Sequence, residues 1–400
     1  MALDPIVALE IGTSKVVALV GEMRDDGHIM ITGIGEAPSS GVRKGEIIDR
    51  ENAAACVRSV IAMAEDTGKV SISEVHLAVS GGHIQSLVNS GETPVLNRDR
   101  RITNSDMEQV KEVAEAVSLP ADRDIIHSIY QHFSIDGHEQ VINPEGMLGS
   151  RLSVDMLVVH GIRNFVANTA QVVRGIPVEV CDVAFSGLCS ALAVLTPQQK
   201  QSGAIVVDLG GGTTDYLAYA DDVIASTGAI GVGGDHVTND IMIAFNIPLS
   251  QAERIKREAG NAVVDPAVAG HRVTIPAEVG FPGRTVGMKA LHTVMNARLD
   301  ETLRIIRKRI EVNTTLHKIG AGVVLTGGGA RLKGITTLAE RVFGLPCFIG
   351  MPRNVSGLVT VSEGPEYATC SGLVEYGFRK VDDSGRRPRV FQMLRKIFGG

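Results

Sequence analysis

Two short stretches place a carboxylate at the end of an apolar run and follow it at once with glycines and hydroxyls. They are Glu10-Ile11-Gly12-Thr13-Ser14-Lys15 and Asp208-Leu209-Gly210-Gly211-Gly212-Thr213-Thr214-Asp215. Bare N–H groups and hydroxyls in such a turn form a concave nest for phosphate oxygens, and the neighbouring carboxylate can hold Mg²⁺ through water. A ligand-free hairpin uses similar turns, so either stretch alone says little. A third glycine turn, Leu325-Thr326-Gly327-Gly328-Gly329-Ala330, joins a strand to a helix, where the helix N-terminus favours anions and missing side chains let a flat ring approach. GxxxxGK[ST] occurs nowhere, and the glycines after the first strand lack GxGxxG spacing, so the P-loop and dinucleotide readings fall.

The elements around these turns repeat. Strand, turn and strand at Ile6 to Glu22, then Asp25-Asp26-Gly27 and a third strand His28 to Gly35, reappear at Ile205 to Ala220, Asp221-Asp222 and Val223 to Ile230. Glu10 falls on Asp208 and Gly12 on Gly210, about half the chain apart, which implies two similar lobes. Apolar spacing predicts helices at Asn52 to Thr67, Val237 to Phe245, Ser250 to Glu258 with Ser250 as cap, and Leu299 to Leu316. The mixture of strands and helices predicts α/β lobes. A block from Gly82 to Gly161, with its own strands and a helix capped by Asn104 or Ser105, is too long for a loop and reads as an inserted subdomain. A second insertion is expected around Asp235 to Arg298.

Composition narrows the class. The 400 residues carry a net charge of −6 and no Trp, which argues against a globally basic nucleic-acid binder and against an aromatic stacking platform. Five cysteines without a CxxC pair fit neither a disulfide framework nor a zinc knuckle. Asp4 and Glu10 interrupt any leader-like apolar run, and no stretch of about 18 uncharged apolar residues exists, so neither secretion nor a membrane span is expected. Residues 386 to 400 hold five basic residues and no acid on an otherwise acidic chain. There Val390, Phe391, Leu394, Ile397 and Phe398 share one helical face, with Arg395 and Lys396 around the other. Some ten residues cannot span a bilayer, so the segment is expected to lie on an anionic membrane surface and to fold on docking. Packing on the chain's own body is the plainer alternative, weakened by the polar linker Val381 to Gly385.

Three glycine turns in this order with duplicated lobes resemble the actin, Hsp70 and sugar-kinase superfamily. The insertion, the basic amphipathic end and stretches such as FSGLCSALAVLT, VVDLGGGTTD and GVVLTGGGARLKGI resemble the FtsA family of bacterial cell-division proteins along almost the whole chain. The resemblance implies an actin-like two-lobed α/β fold of RNase H-like lobes, with ATP and Mg as cofactors. It puts Gly12, Thr13, Ser14, Lys15, Gly210, Gly211, Gly212, Thr213, Gly233, Gly234, Lys256, Gly327, Gly328 and Gly329 around the nucleotide. For Lys256 an exposed lysine pairing Glu253 or Glu258 stays open. Glu10 and Asp208 would serve catalysis and the metal, Glu10 in place of the superfamily's aspartate, and Asp182 would position water or merely cap a helix. Weak ATPase activity at most is expected, with binding exceeding turnover. Implied subdomains are 1A at 1–81 (with 162–202 and 364–381), 1C at 82–161, 2A at 203–233 (with 300–363), 2B at 234–299, and a linker with a membrane helix at 382–400. Implied partners are the tail of the tubulin-like ring protein FtsZ, with Arg298 meeting its acids, further copies in filaments, the membrane and later division proteins, and no nucleic acid. The implied place is the cytoplasmic membrane face at the septum. A small-molecule kinase and a pilus or secretion platform of the same superfamily are the rival readings.

Overall fold

A computed structural model describes residues 4–384. The first lobe is built on a sheet whose strands run, edge to edge, Glu179–Phe185, Glu74–Val79, Ile6–Ile11, Lys15–Met23 and Ile29–Pro38, with the short Val355–Ser356 beyond. The second lobe repeats that order in Cys347–Ile349, Val323–Thr326, Ala204–Leu209, Thr214–Ala220 and Val223–Ile230. In both, the central strand is antiparallel to the hairpin partner on one side and parallel to the crossover strand on the other. Glu10 stands opposite Val17, and Asp208 stands opposite Asp215. The strands ending in the two carboxylates are therefore the same strand of a duplicated lobe, buried on both faces by apolar runs such as Val206 and Val207.

Helices cover the sheets. Arg50–Gly68, capped by Asp49 through the N–H groups of Glu51 and Asn52, buries Ala53, Val57, Val60, Ile61 and Ala64 at helical spacing. Met288–Glu311 is one unbroken helix, earlier at both ends than the expected Leu299 to Leu316. Leu291, His292 and Met295 extend its buried face backwards, and it runs through the boundary expected at 299/300. Leu249–Ala259 begins after Pro248, so Ser250 lies inside the helix and does not cap it. Ala368–Ser384 is a helix, with Leu373, Val374, Phe378 and Val381 packed on the first lobe. The linker expected from Asp382 is thus helical as far as Ser384, and the calls on Val390, Phe391, Leu394, Arg395, Lys396, Ile397 and Phe398 lie outside the described residues.

The inserted block folds as a sheet of Gln85–Pro94, Arg151–Ile162, Arg123–Ile135 and His138–Val141 with the helix Asn104–Glu115 against it. Thr103, not Asn104 or Ser105, caps that helix, in a reciprocal box with Asp106. The block has its own core, including Ile102, Val110, Phe133, Leu152 and Met156. It is pinned to the first lobe where His127 Nε2 accepts the Phe185 N–H at 2.9 Å, and to the second where Ser86 Oγ donates to the Thr227 carbonyl at 2.6 Å.

Candidate functional site

The glycine turns of the two lobes face each other at contact distance. A Cβ on Gly211 would lie 3.0 Å from the Ser14 Cβ, and one on Gly212 would lie 2.4 Å from Thr13 Oγ1. Only glycine lets the loops approach this closely. Each turn is closed by one backbone bond, Gly12 N–H to the Lys15 carbonyl and Gly210 N–H to the Thr213 carbonyl, both 3.0 Å. The helix Gly234–Phe245 starts on the second turn, since Gly234 and Asp235 donate to the carbonyls of Gly210 and Gly211. A Cβ on Gly233 would meet those same carbonyls at 2.6 and 2.5 Å. The third turn closes the same place from the other flank: Gly327, at φ 78°, would set a Cβ 2.2 Å from Asp208 Oδ1, and Gly329 packs on Leu209. Gly328 has open space around it.

Carboxylates line the floor. Asp208 Oδ2 accepts from Ser190 Oγ at 2.5 Å and from Thr369 Oγ1 at 3.0 Å. Asp215 Oδ1 accepts from Ser80 Oγ at 2.6 Å, and Cys370 Sγ donates to Glu10 Oε2 at 3.5 Å. Burial, then the nearby Asp208 charge, push the Glu10 carboxyl up to about 7, with Lys15 pulling it back. Burial raises Asp208 as well, opposed by its two hydroxyl donors, and raises Asp215 well above the usual range, with Asp208 adding to it. Such a floor is short of positive charge. A divalent cation would favour its ionised form, so the donor set fits Mg²⁺, with Glu10 and Asp208 as the carboxylates that would hold it. Among the described residues no three His, Cys, Asp or Glu side chains are grouped to ligate a metal directly, which leaves water and phosphate oxygens to complete a shell.

Two cations border the turns. Lys15 Nζ pairs with Glu36 at 3.3 Å and lies 3.8 Å from the Tyr367 ring centroid. Lys256 is buried rather than exposed; it pairs with Glu253 at 2.5 Å and also donates to Thr238 Oγ1 and to the Gly234 carbonyl at 3.2 Å. Its ammonium therefore sits at the flank of Gly210 and Gly234. Asp182 corrects the expectation placed on it. The strand continues to Phe185, so the helix after the crossover begins only at Ser186. Asp182 is not a helix cap, since Phe185 holds that place; it accepts from Tyr376 Oη at 3.0 Å and from the Val183 N–H at 2.8 Å. Arg298 is engaged already, with both Asp240 oxygens at 2.6 and 3.1 Å and with Glu301 at 2.6 Å.

Asp215 stands in the second glycine motif, but the repeat gives it no role, since the residue opposite Glu10 in the first lobe is Val17; its place on the floor comes from its register opposite Asp208. Ser80, Ser190, Thr369 and Cys370 lie 18 to 360 positions from their partners in no shared motif, and only the fold brings them together.

Residues 205–372 match the family described as Cell division protein FtsA, and residues 81–160 match the SHS2 domain inserted in FTSA. The Cell division protein FtsA of Pseudomonas aeruginosa is 38% identical over 378 residues, which is 94% of this chain and 90% of that protein. Among solved structures, the PilM-PilN type IV pilus biogenesis complex superposes with a TM-score of 0.64 at 16% identity, covering 93% of this chain and 98% of that one. MreB 5 of Spiroplasma citri bound to AMPPNP gives 0.54 at 16% identity, covering 96% and 99%. These likenesses give an actin-like fold.

Proposed function

The chain belongs to the FtsA family of cell division proteins, and from that premise we propose that it binds ATP with Mg²⁺ and anchors the ring protein FtsZ to the cytoplasmic membrane. The observation that carries the nucleotide reading is the apposition of Thr13 and Ser14 with Gly212 and Gly211, two phosphate nests from two lobes closing on one volume. Gly12, Thr13, Ser14 and Lys15 take one phosphate side, and Gly210, Gly211, Gly212 and Thr213 the other. Gly233 and Gly234 bring a helix N-terminus toward the same charge. Lys256 and Gly327 to Gly329 border the nucleoside. Mg²⁺ supplies the countercharge that the phosphates and the Glu10–Asp208 floor both lack. Asp182, held by Tyr376 Oη and the Val183 N–H, is given no part in water activation in this reading.

The apolar and basic faces of residues 390 to 398 support a surface-lying membrane helix, and no described helix is long and apolar enough to cross a bilayer. Reversible single-copy binding becomes durable when copies assemble into filaments. In this reading the FtsZ tail docks near Arg298, where an acidic peptide must compete with Asp240 and Glu301, and later division proteins join the filament at the septum. Titration calorimetry with ATP and Mg²⁺ tests the nucleotide half. Binding is expected for the natural chain and at least tenfold weaker binding for Gly212→Ala, whose methyl would press on Thr13 and Lys44. A natural chain that takes up no ATP overturns the reading.

A further inference from the structure

Residues 41–47 form a two-residue hairpin, Val42–Arg43 paired with Glu46–Ile47 around Lys44 and Gly45. Both loop residues have positive φ, 53° at Lys44 and 79° at Gly45. A turn of that kind is best made by Asn-Gly, Asp-Gly or Gly-Gly; a lysine in the left-handed region is strained there and contributes nothing to the turn. The hairpin is tied to the first lobe's glycine turn, since the Gly45 N–H donates to Thr13 Oγ1 at 3.0 Å. It nonetheless leans on the second lobe. The Lys44 N and Cα lie 2.9 Å from where a Gly212 Cβ would be, and the Lys44 Cδ lies 3.8 Å from the corresponding point on Gly231. The ammonium is close enough to help lower the affinity of His236 for its proton, after burial. Among the described residues no hydrogen bond or ion pair holds that ammonium, and the side chain is exposed at the cleft mouth.

Position along the second turn gives this cation a direction. Lys256 and Gly327 stand at the Gly210 end, and Lys44 stands at the Gly212 end. A nucleotide whose base lies toward Gly327 presents its last phosphate toward Gly212. We propose that Lys44 is a cross-lobe cation that engages the terminal phosphate of a bound nucleoside triphosphate, so that the chain distinguishes triphosphate from diphosphate. The inference rests on the nucleotide reading above and adds to it a residue outside the three glycine turns. Because the hairpin belongs to one lobe and the side chain reaches the other, the contact also rewards lobe closure around the triphosphate.

The test uses the full chain, Mg²⁺ and fluorescent N-methylanthraniloyl ATP and ADP. Lys44→Asn removes the charge while supplying the residue such a turn prefers, so its unfolding midpoint should equal or exceed that of the natural chain. Its affinity for the ATP probe should fall about tenfold or more while ADP binding changes less than about threefold. Lys44→Arg should restore part of the discrimination. An unchanged ATP-to-ADP ratio in Lys44→Asn, or an equal loss for both probes, overturns the assignment while leaving the nucleotide reading intact. Failure of the natural chain to bind either probe removes both.

Discussion

At the scale of single residues, the informative ones carry charge into places that disfavour it. Glu10 is half-buried beside Asp208 and its carboxyl is pushed up to about 7, against 4.5 in the unfolded chain. Between those values the folded chain binds the extra proton, so stability without metal falls as pH rises from 4.5 through 7, by roughly 3 kcal/mol for this group. Glu10→Gln should abolish that loss and be the more stable chain at pH 8 in chelator, as read by denaturant unfolding at pH 5 and pH 8. Added Mg²⁺ should then raise the stability of the natural chain and leave the variant unmoved. Equal pH slopes in the two chains would count against the buried charge. Part of this was legible without a structure: Glu10 and Asp208 stood out because a repeat matched them. Their hydroxyl and thiol partners were not, since Ser190 and Thr369 lie 179 positions apart and carry no pattern that links them.

At the scale of elements, the fold was readable where periodicity and turn chemistry agreed, and misread where burial outran the local signal. The duplicated hairpins and the insertion's strands followed from apolar runs and glycine turns. Met288–Glu311 begins eleven residues before the expected Leu299, because polar residues interleave its buried Leu291, His292 and Met295. Asp182 was placed at a helix start that the structure puts four residues later, at Ser186. The joint between the insertion and the first lobe was silent in sequence, since it depends on a histidine used as a neutral acceptor. Burial, with Lys380 adding to it, lowers His127 to about 3, and the Tyr376 ring packs edge-on against it. Below about 6.5 the unfolded chain protonates this residue and the folded chain does not, so its contribution is lost as pH falls, at about 1.4 kcal/mol per unit. His127→Gln should be less stable than the natural chain at pH 7 and close that gap by about 2 kcal/mol at pH 5. A gap independent of pH would show that His127 is not the acid-labile part of the joint.

At the scale of the whole molecule, the reading proposed above takes two lobes, an inserted subdomain and the basic amphipathic sequence at 390 to 398 as a body that closes on a nucleotide and lies against a surface. Membership of the FtsA family was legible because its motifs are spread along the chain rather than gathered in one site. The ion pair already made by Arg298 was not legible, since Asp240 lies 58 positions away and holds the guanidinium. Phe391→Glu should weaken binding to anionic vesicles by about ten- to a hundredfold, the worth of one buried aromatic, while ATP binding stays as before. Vesicle binding equal to that of the natural chain would place the membrane contact elsewhere. The central claim, a tether between FtsZ and a membrane, is tested most directly by floating anionic liposomes with a labelled FtsZ C-terminal peptide in ATP and Mg²⁺. The full chain is compared with one ending at Ser384. The peptide should rise with the full chain and stay below with the shortened one. A peptide that stays below while the full chain floats, or rises equally with both, would contradict the account.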